Sequence, residues 1–344
     1  MSQQPGDRGN GATEGPFANG LAAQRKGLWK TVFRGVVTVA VVAAVVWTGW
    51  KGYLDLRKQE GLSWEQFHWQ WLPIASLLYF LGMLPSWGYW HWLLSRSGLT
   101  VNLRDSFRAF FMSQLGKYIP GKVMVILIRT AVISHQQVDR DRVTTLRGQH
   151  TWITVTATAF METLTFIAMG GLVGVVAGAG FFSERPWVIG VALLVAAAMC
   201  LPILPPVFHF VARKVKLPGG DEGRAILLRT WNWRSFLLGI VLLPVGWMIL
   251  GSSLWALFWS LPTPTPQPDD YQAALTCVSL ANVLGFVSLI PGGFGVREVV
   301  MFPILEPRFS LAIVLVILYR MTSLVAESLA GVFAWCLPAG SAAE

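Results

Sequence analysis

The feature that most restricts this chain is a series of long apolar runs separated by clusters of charge. Residues 309–337, FSLAIVLVILYRMTSLVAESLAGVFAWCL, carry only Arg320 and Glu327 as charged groups. Comparable runs lie near 29–50, 70–94, 152–182, 187–212, 235–261 and 272–306. Each reaches or exceeds the ~20 apolar residues that cross a bilayer core as a helix. Hydrophobic residues make up 54% of the 344-residue chain and charged residues 13%, about half the charged share of a soluble domain. Inside lipid a segment must satisfy its backbone hydrogen bonds internally, so these runs predict helices. The expected fold is all-α, a polytopic membrane bundle of about seven or eight spans plus two broken or re-entrant helices.

Charge is sorted along the chain. Arg25, Lys26, Lys30 and Arg34 flank the start of the first run, and basic residues crowd 96–147. Arg213, Lys214, Lys216, Arg224, Arg229 and Arg234 lie between the fourth and fifth runs, whereas the connection PTPTPQPDD (262–270) has no basic residue. The positive-inside rule then predicts a cytoplasmic N-terminus and an outward 262–270 loop, in a multi-pass protein of the plasma membrane, bacterial inner-membrane type. The net charge of +9 faces anionic headgroups, and nucleic acid is not an expected partner. Residues 1–24, poor in large apolar side chains, are expected to be a disordered cytoplasmic tail. Residues 25–338 form one transmembrane domain, and 339–344 a short C-terminal tail. The first run is too long for a signal peptide and lacks a cleavage motif, so it is expected to persist. Cys200, Cys277 and Cys336 are far apart within apolar runs and read as packing residues.

Two interruptions share a pattern. LGKYIPGKVMVILIRT (115–130) and LGFVSLIPGG (284–293) both run from Leu-Gly to Ile-Pro-Gly. The match marks either equivalent points of an internal repeat or a chance resemblance; transporters built from repeats carry such Gly/Pro-broken segments at matching places. Pro120 and Pro291 break the helix, and the glycines that follow (Gly121; Gly292, Gly293, Gly295) allow a turn and close backbone approach. A helix restarting after each turn would aim free N–H groups at an anion. Arg297 adds a two-pronged fork for phosphate, Lys117 and Lys122 add point charges, and Arg129 follows the first turn. Residues 116–123 match GxxxxGK but end in Val123 where a P-loop needs Ser or Thr, and the strand–loop–helix setting is missing. The two segments are expected to approach one another inside the membrane.

Charges within spans are expensive and default to functional candidates. Glu162 lies in a stripe with Thr154, Thr158 and Thr165, while Arg320 and Glu327 are two turns apart on the last helix. With Glu298 they are candidates for an intramembrane charge network or proton coupling, or else for ion pairs that only pin the bundle. Gly170, Gly174 and Gly178, spaced by four, read as close helix packing. No metal-ligand spacing, catalytic triad or cofactor motif can be placed among the five histidines and the acidic residues.

Taken together, PGGFGVRE (291–298), GKYIPGK followed by Arg129, the mid-span Glu162, and Arg320 in the last helix resemble one family. It is the lysylphosphatidylglycerol synthase transmembrane region, a flippase-like domain. The similarity covers approximately 25–338. It implies a membrane protein that handles a lipid, such as an aminoacylated phospholipid or a polyprenyl-linked carrier. The matching positions are Pro120, Gly121, Arg129, Glu162, Pro291, Gly292, Gly293, Gly295, Arg297, Glu298 and Arg320. Full synthases add a soluble aminoacyl-transfer domain that the residues after Pro338 are too few to supply, so synthase activity is not carried over.

The expected function is a lipid flippase or transporter, with the phosphate held at the broken-helix termini by Lys117, Gly121, Lys122, Arg129, Gly292, Gly293, Gly295 and Arg297. The alternative is a membrane enzyme, or enzyme subunit, transferring a group to a lipid-phosphate carrier, with Asp139 and Asp141 as its acidic candidates. Membrane lipids, anionic phospholipid or polyprenyl phosphate, are the expected partners. A homo-oligomer is compatible with the sequence, and no cofactor is implied.

Overall fold

The computed structural model describes Trp50 and residues 64–118, 123–140, 145–179, 190, 194, 197–198, 200–214, 220–262, 264–288 and 290–338. The expected tails at 1–24 and 339–344, and the first apolar run apart from Trp50, lie outside the described residues. Among the described residues there are ten α-helices and no strand. They are α1 (Trp71–Arg96), α2 (Leu103–Gln114), α3 (Val123–Arg140), α4 (Thr145–Gly178) and α5 (Pro205–Lys214). There follow α6 (Gly220–Thr230), α7 (Trp233–Phe258), α8 (Asp270–Val287), α9 (Val296–Leu305) and α10 (Ala312–Cys336). Among the described residues, three stretches, Thr151–Gly178, Trp233–Phe258 and Ala312–Cys336, are long and apolar enough to cross a membrane. The apolar run at 187–212 is not one continuous helix: a 3₁₀ turn at Leu201–Ile203 precedes α5. Pro202, Pro205 and Pro206 cluster there, and their rings and missing N–H groups stop a helix from passing through.

Eight of these helices fall into two similar sets. In each, a long helix is followed by a hairpin of shorter helices and then by another long helix: α1, α2–α3 and α4, then α7, α8–α9 and α10. The hairpins are closed by short 3₁₀ turns at Leu115–Tyr118 and Pro291–Gly293. The first long helices of the two sets, α1 and α7, pack along their whole length. They are antiparallel, because His68 N–H donates to Ser260 O at 3.0 Å while Tyr89 O–H donates to Ser235 O at 3.0 Å. Their crossing is close where glycines meet: a Cβ on Gly82 would lie 2.7 Å from Leu250, and one on Gly246 would lie 2.9 Å from Gly82 O. Both helices carry an internal proline beside this crossing, Pro85 and Pro244. Asn232 starts α7 by accepting from the N–H groups of Arg234 and Ser235 at 3.0 and 3.1 Å.

The other long helices exchange partners. α4 packs on the second hairpin through α8, and α10 packs on the first hairpin through α2. The glycine stripe of α4 makes the first contact possible: a Cβ on Gly174 would meet Leu280 at 2.8 Å, and Gly170 faces Trp247 with no room for one. Arg108 Nε–H donates to Ala334 O at 3.2 Å, and Leu115 lies against Gly331, so the first hairpin enters alongside α10 from its Cys336 end. At the other end, Arg308 pairs with the buried Asp270, tying the α9–α10 connection to the start of α8. The second hairpin therefore enters from the Ala312 end. Two hairpins enter from opposite ends of one helix. If the stripe is a packing surface, Gly170→Leu should destabilise the protein by roughly 1–3 kcal/mol or more through overpacking against Trp247. Thermal unfolding in detergent should show that loss, whereas Gly88→Ala, with open space at its Cβ position, should change little.

Candidate functional site

The two hairpin tips meet. A Cβ on Gly292 would lie 2.9 Å from the Tyr118 ring and 3.0 Å from the Phe294 ring, so the second turn presses its backbone onto the first. Gly292, Gly293 and Gly295 have φ of 60°, 65° and 80°. That region strains any residue with a Cβ, which is why the chain can reverse here only through these glycines. Gly293 N–H donates to Ile290 O at 2.9 Å, and Gly292 O accepts from Arg320 Nη1 at 2.9 Å. Arg320 sits roughly 12 Å along α10 and Glu327 roughly 22 Å along it, so the tips lie in the middle of the helix rather than at either end. Backbone broken at such depth is tolerated where protein covers it.

The charges form three separate groups, two of them at the tips, in place of one shared network. In the first, Arg129 Nη1 pairs with Glu162 Oε2 at 2.8 Å and Arg129 Nε donates to Ser113 Oγ at 3.1 Å. Ser86 Oγ donates to the other Glu162 oxygen. The guanidinium is 4.6 Å from the Trp90 ring centre and 4.5 Å from that of Phe110, and the residue is 2% exposed. The threonines aligned with Glu162 are buried, and Thr158 and Thr165 donate back to their own helix, to Thr154 O and Met161 O.

In the second group, Glu327 is fully buried and takes three donors. Lys117 pairs with its Oε1, Tyr79 O–H donates to the same oxygen at 2.5 Å, and Tyr118 O–H donates to Oε2 at 2.9 Å. Lys117 and Tyr118 come from the first tip, Tyr79 from α1. In the third, Arg320 Nε pairs with Glu298 Oε1 at 2.5 Å and its guanidinium lies 4.4 Å from the Phe294 ring centre. Arg320 thus holds the second tip by its backbone, its glutamate and its aromatic ring.

Arg297 belongs to none of these groups. It is 9% exposed, and its side chain lies against Gly285 and Gly293, where a Cβ would stand 3.0 Å from its Nε. Its Nε–H is buried without a partner, and among the described residues the guanidinium meets no carboxylate. Glu298 Oε2 and Arg320 Nη2 beside it are also buried without a partner. A planar cation with an unused donor, at a glycine turn, is suited to an oxyanion such as a phosphate.

Of the residues singled out from sequence, the structure brings together Lys117, Gly292, Gly293, Arg297, Glu298, Arg320 and Glu327. Arg129 and Glu162 form their own pair. Pro291 opens the second 3₁₀ turn and Gly295 caps α9. Pro120, Gly121 and Lys122 lie outside the described residues. Sequence reasoning missed Tyr79, Ser86, Ser113 and Tyr118. Tyr79 and Ser86 are seven apart on α1, two turns along one face, a polar spacing that could have drawn attention to them. Because Arg129 and Glu162 are both buried, Arg129→Met should cost ~3–5 kcal/mol by leaving a buried carboxylate unpaired. Arg129→Met/Glu162→Gln should recover most of that loss, as read by thermal unfolding.

The chain also matches a family model. The model for the lysylphosphatidylglycerol synthase transmembrane region aligns with residues 29–331, nearly the whole chain. No curated protein matches it. The helical membrane architecture and this match agree with the motif resemblance: the chain belongs to the lysylphosphatidylglycerol synthase transmembrane region family.

Proposed function

We propose that the protein is a lipid flippase or transporter that holds a headgroup phosphate where the two hairpin tips meet. The observation that carries this reading is Arg297, a buried guanidinium with an unused N–H at a glycine turn and no carboxylate partner among the described residues. An unpaired buried charge is costly, so such a group points to a ligand that completes it. The tips lie midway along α10, where a headgroup would be halfway between leaflets with its tails left in the bilayer. Hairpin tips reached from opposite sides also give each face of the membrane its own movable element, the arrangement alternating access needs. The lipid is a phospholipid or a polyprenyl-phosphate-linked lipid. Arg129 and Glu162, closed in by Ser86, Ser113, Trp90 and Phe110, serve as a clamp that holds the first hairpin to α4.

The proposed setting is a bacterial inner membrane with the Cys336 end of α10 in the cytoplasm. Arg96, Arg104 and Arg108 lie at that end with the entrance to the first hairpin, while the loop without basic residues at 262–270 joins α7 to α8 at the other.

In vesicles carrying a fluorescent phospholipid, Arg297→Ala should nearly abolish translocation while unfolding at a temperature close to that of the unmodified chain. Arg297→Lys keeps charge but loses the planar fork, so it should retain a small fraction of the rate, about a tenth or less. A stable, fully active Arg297→Ala protein would overturn the phosphate site. For orientation, a cysteine replacing Thr265 should react with an impermeant maleimide added outside the cell, and one replacing Ser2 only after permeabilisation.

A further inference from the structure

Each half of the bundle places an arginine after its broken turn and a glutamate in the long helix that follows: Arg129 and Glu162, then Arg297 and Glu327. In the first half these two are paired at 2.8 Å. In the second half they are not. Glu327 is occupied by Lys117 and Tyr118, which belong to the other hairpin, and by Tyr79 from α1. Arg297 meanwhile meets no carboxylate among the described residues. Yet the two residues meet at one junction: Arg297 lies against Gly293, the neighbouring Gly292 packs on the Tyr118 ring, and Tyr118 donates to Glu327. The carboxylate that its counterpart in the first half would hold therefore stands at the same junction of the two tips.

With Lys117 in place, the charge of Glu327 is compensated and both its oxygens accept hydrogen bonds, so Arg297 has little to gain by joining it. Without Lys117, a fully buried carboxylate would be left with two hydroxyl donors, and Arg297 would be the cation best placed to neutralise it. We infer that Lys117 is a positioning residue: by neutralising Glu327 from the opposite hairpin, it keeps Arg297 free for an oxyanion. This rests on the phosphate reading of Arg297. The anion site then exists only while the two tips are docked. When the first tip withdraws, Lys117 leaves with it, Arg297 turns to Glu327, and the phosphate is released. Glu327 becomes the point at which hairpin movement and lipid affinity are linked.

The test uses the full chain purified in detergent, with lipid binding and thermal unfolding measured on each variant. Fluorescent phosphatidylglycerol and a fluorescent polyprenyl monophosphate are the probes, tried separately. Lys117→Met should lose affinity by about tenfold or more, yet unfold close to the unmodified chain, because Arg297 takes over Glu327. Lys117→Met/Glu327→Gln should regain affinity to within about threefold, since Arg297 is released again. Lys117→Met/Arg297→Ala should unfold at a much lower temperature than either single variant, leaving Glu327 with no cation. A Lys117→Met/Glu327→Gln protein that binds as weakly as Lys117→Met would overturn the inference and make Lys117 a direct phosphate ligand. So would a Lys117→Met protein as unstable as the variant that also lacks Arg297. If Arg297→Ala alone binds both probes normally, the phosphate reading fails instead, while the unfolding comparison still decides whether Arg297 replaces Lys117.

Discussion

A backbone broken at membrane depth must find its hydrogen bonds inside the protein, and in this chain Arg320 supplies what the second turn lacks. Its Nη1 takes the buried carbonyl of Gly292, its Nε takes Glu298 at the start of α9, and its face covers Phe294. In water such a turn could be solvated at little cost. In hydrocarbon each unsatisfied group costs several kcal/mol. A charged residue in the last helix is therefore the condition for having a turn there at all, and the turn is what presents Arg297.

The same helix organises both tips. Glu327, two turns beyond Arg320, holds Lys117 and Tyr118 of the first hairpin. The hairpins do not lean on each other through backbone alone; each is tethered to α10 by opposite charge, at successive levels. The glycines of α1, α4 and α7 let the long helices approach closely enough to enclose these groups. The site combines a frame, clamped at Arg129–Glu162 and packed along α1–α7, with two hairpin tips that are each tied to α10 by one ion pair. In the proposed transport cycle these tips are the elements that move.

Much of this was legible in the sequence, and the reason is physical. Long apolar runs can only be helices in lipid, and Ile-Pro-Gly within them can only be a break, so the all-α membrane class and both turns follow from local chemistry. The second Ile-Pro-Gly leads into the turn Pro291–Gly293 at the tip of its hairpin, while the first, at 119–121, lies outside the described residues. The paired pattern LPSWG in α1 and LPVGW in α7 is not legible as a break, because neither proline interrupts its helix. The pairing of charges was not legible. Arg297 and Glu298 are adjacent in sequence, and one would expect them to share a partner; instead α9 sends Glu298 to Arg320 and leaves Arg297 facing the turn. The partners Lys117 and Glu327 are 210 residues apart, and their contact depends on how the hairpins dock, which no local pattern encodes. The run at 187–212 failed as one helix because hydropathy alone outweighed its three prolines.

The most direct measurement is an experimental structure of the protein in a lipid nanodisc. Tyr118 should pack on Gly292 midway along α10, with Arg297 free of any carboxylate and a lipid phosphate against its Nε. This arrangement would be contradicted by a continuous helix through 115–129 or 284–301. It would equally be contradicted by Arg297 in a closed pair with Glu298 or Glu327 in a lipid-bound state, with the headgroup lodged elsewhere.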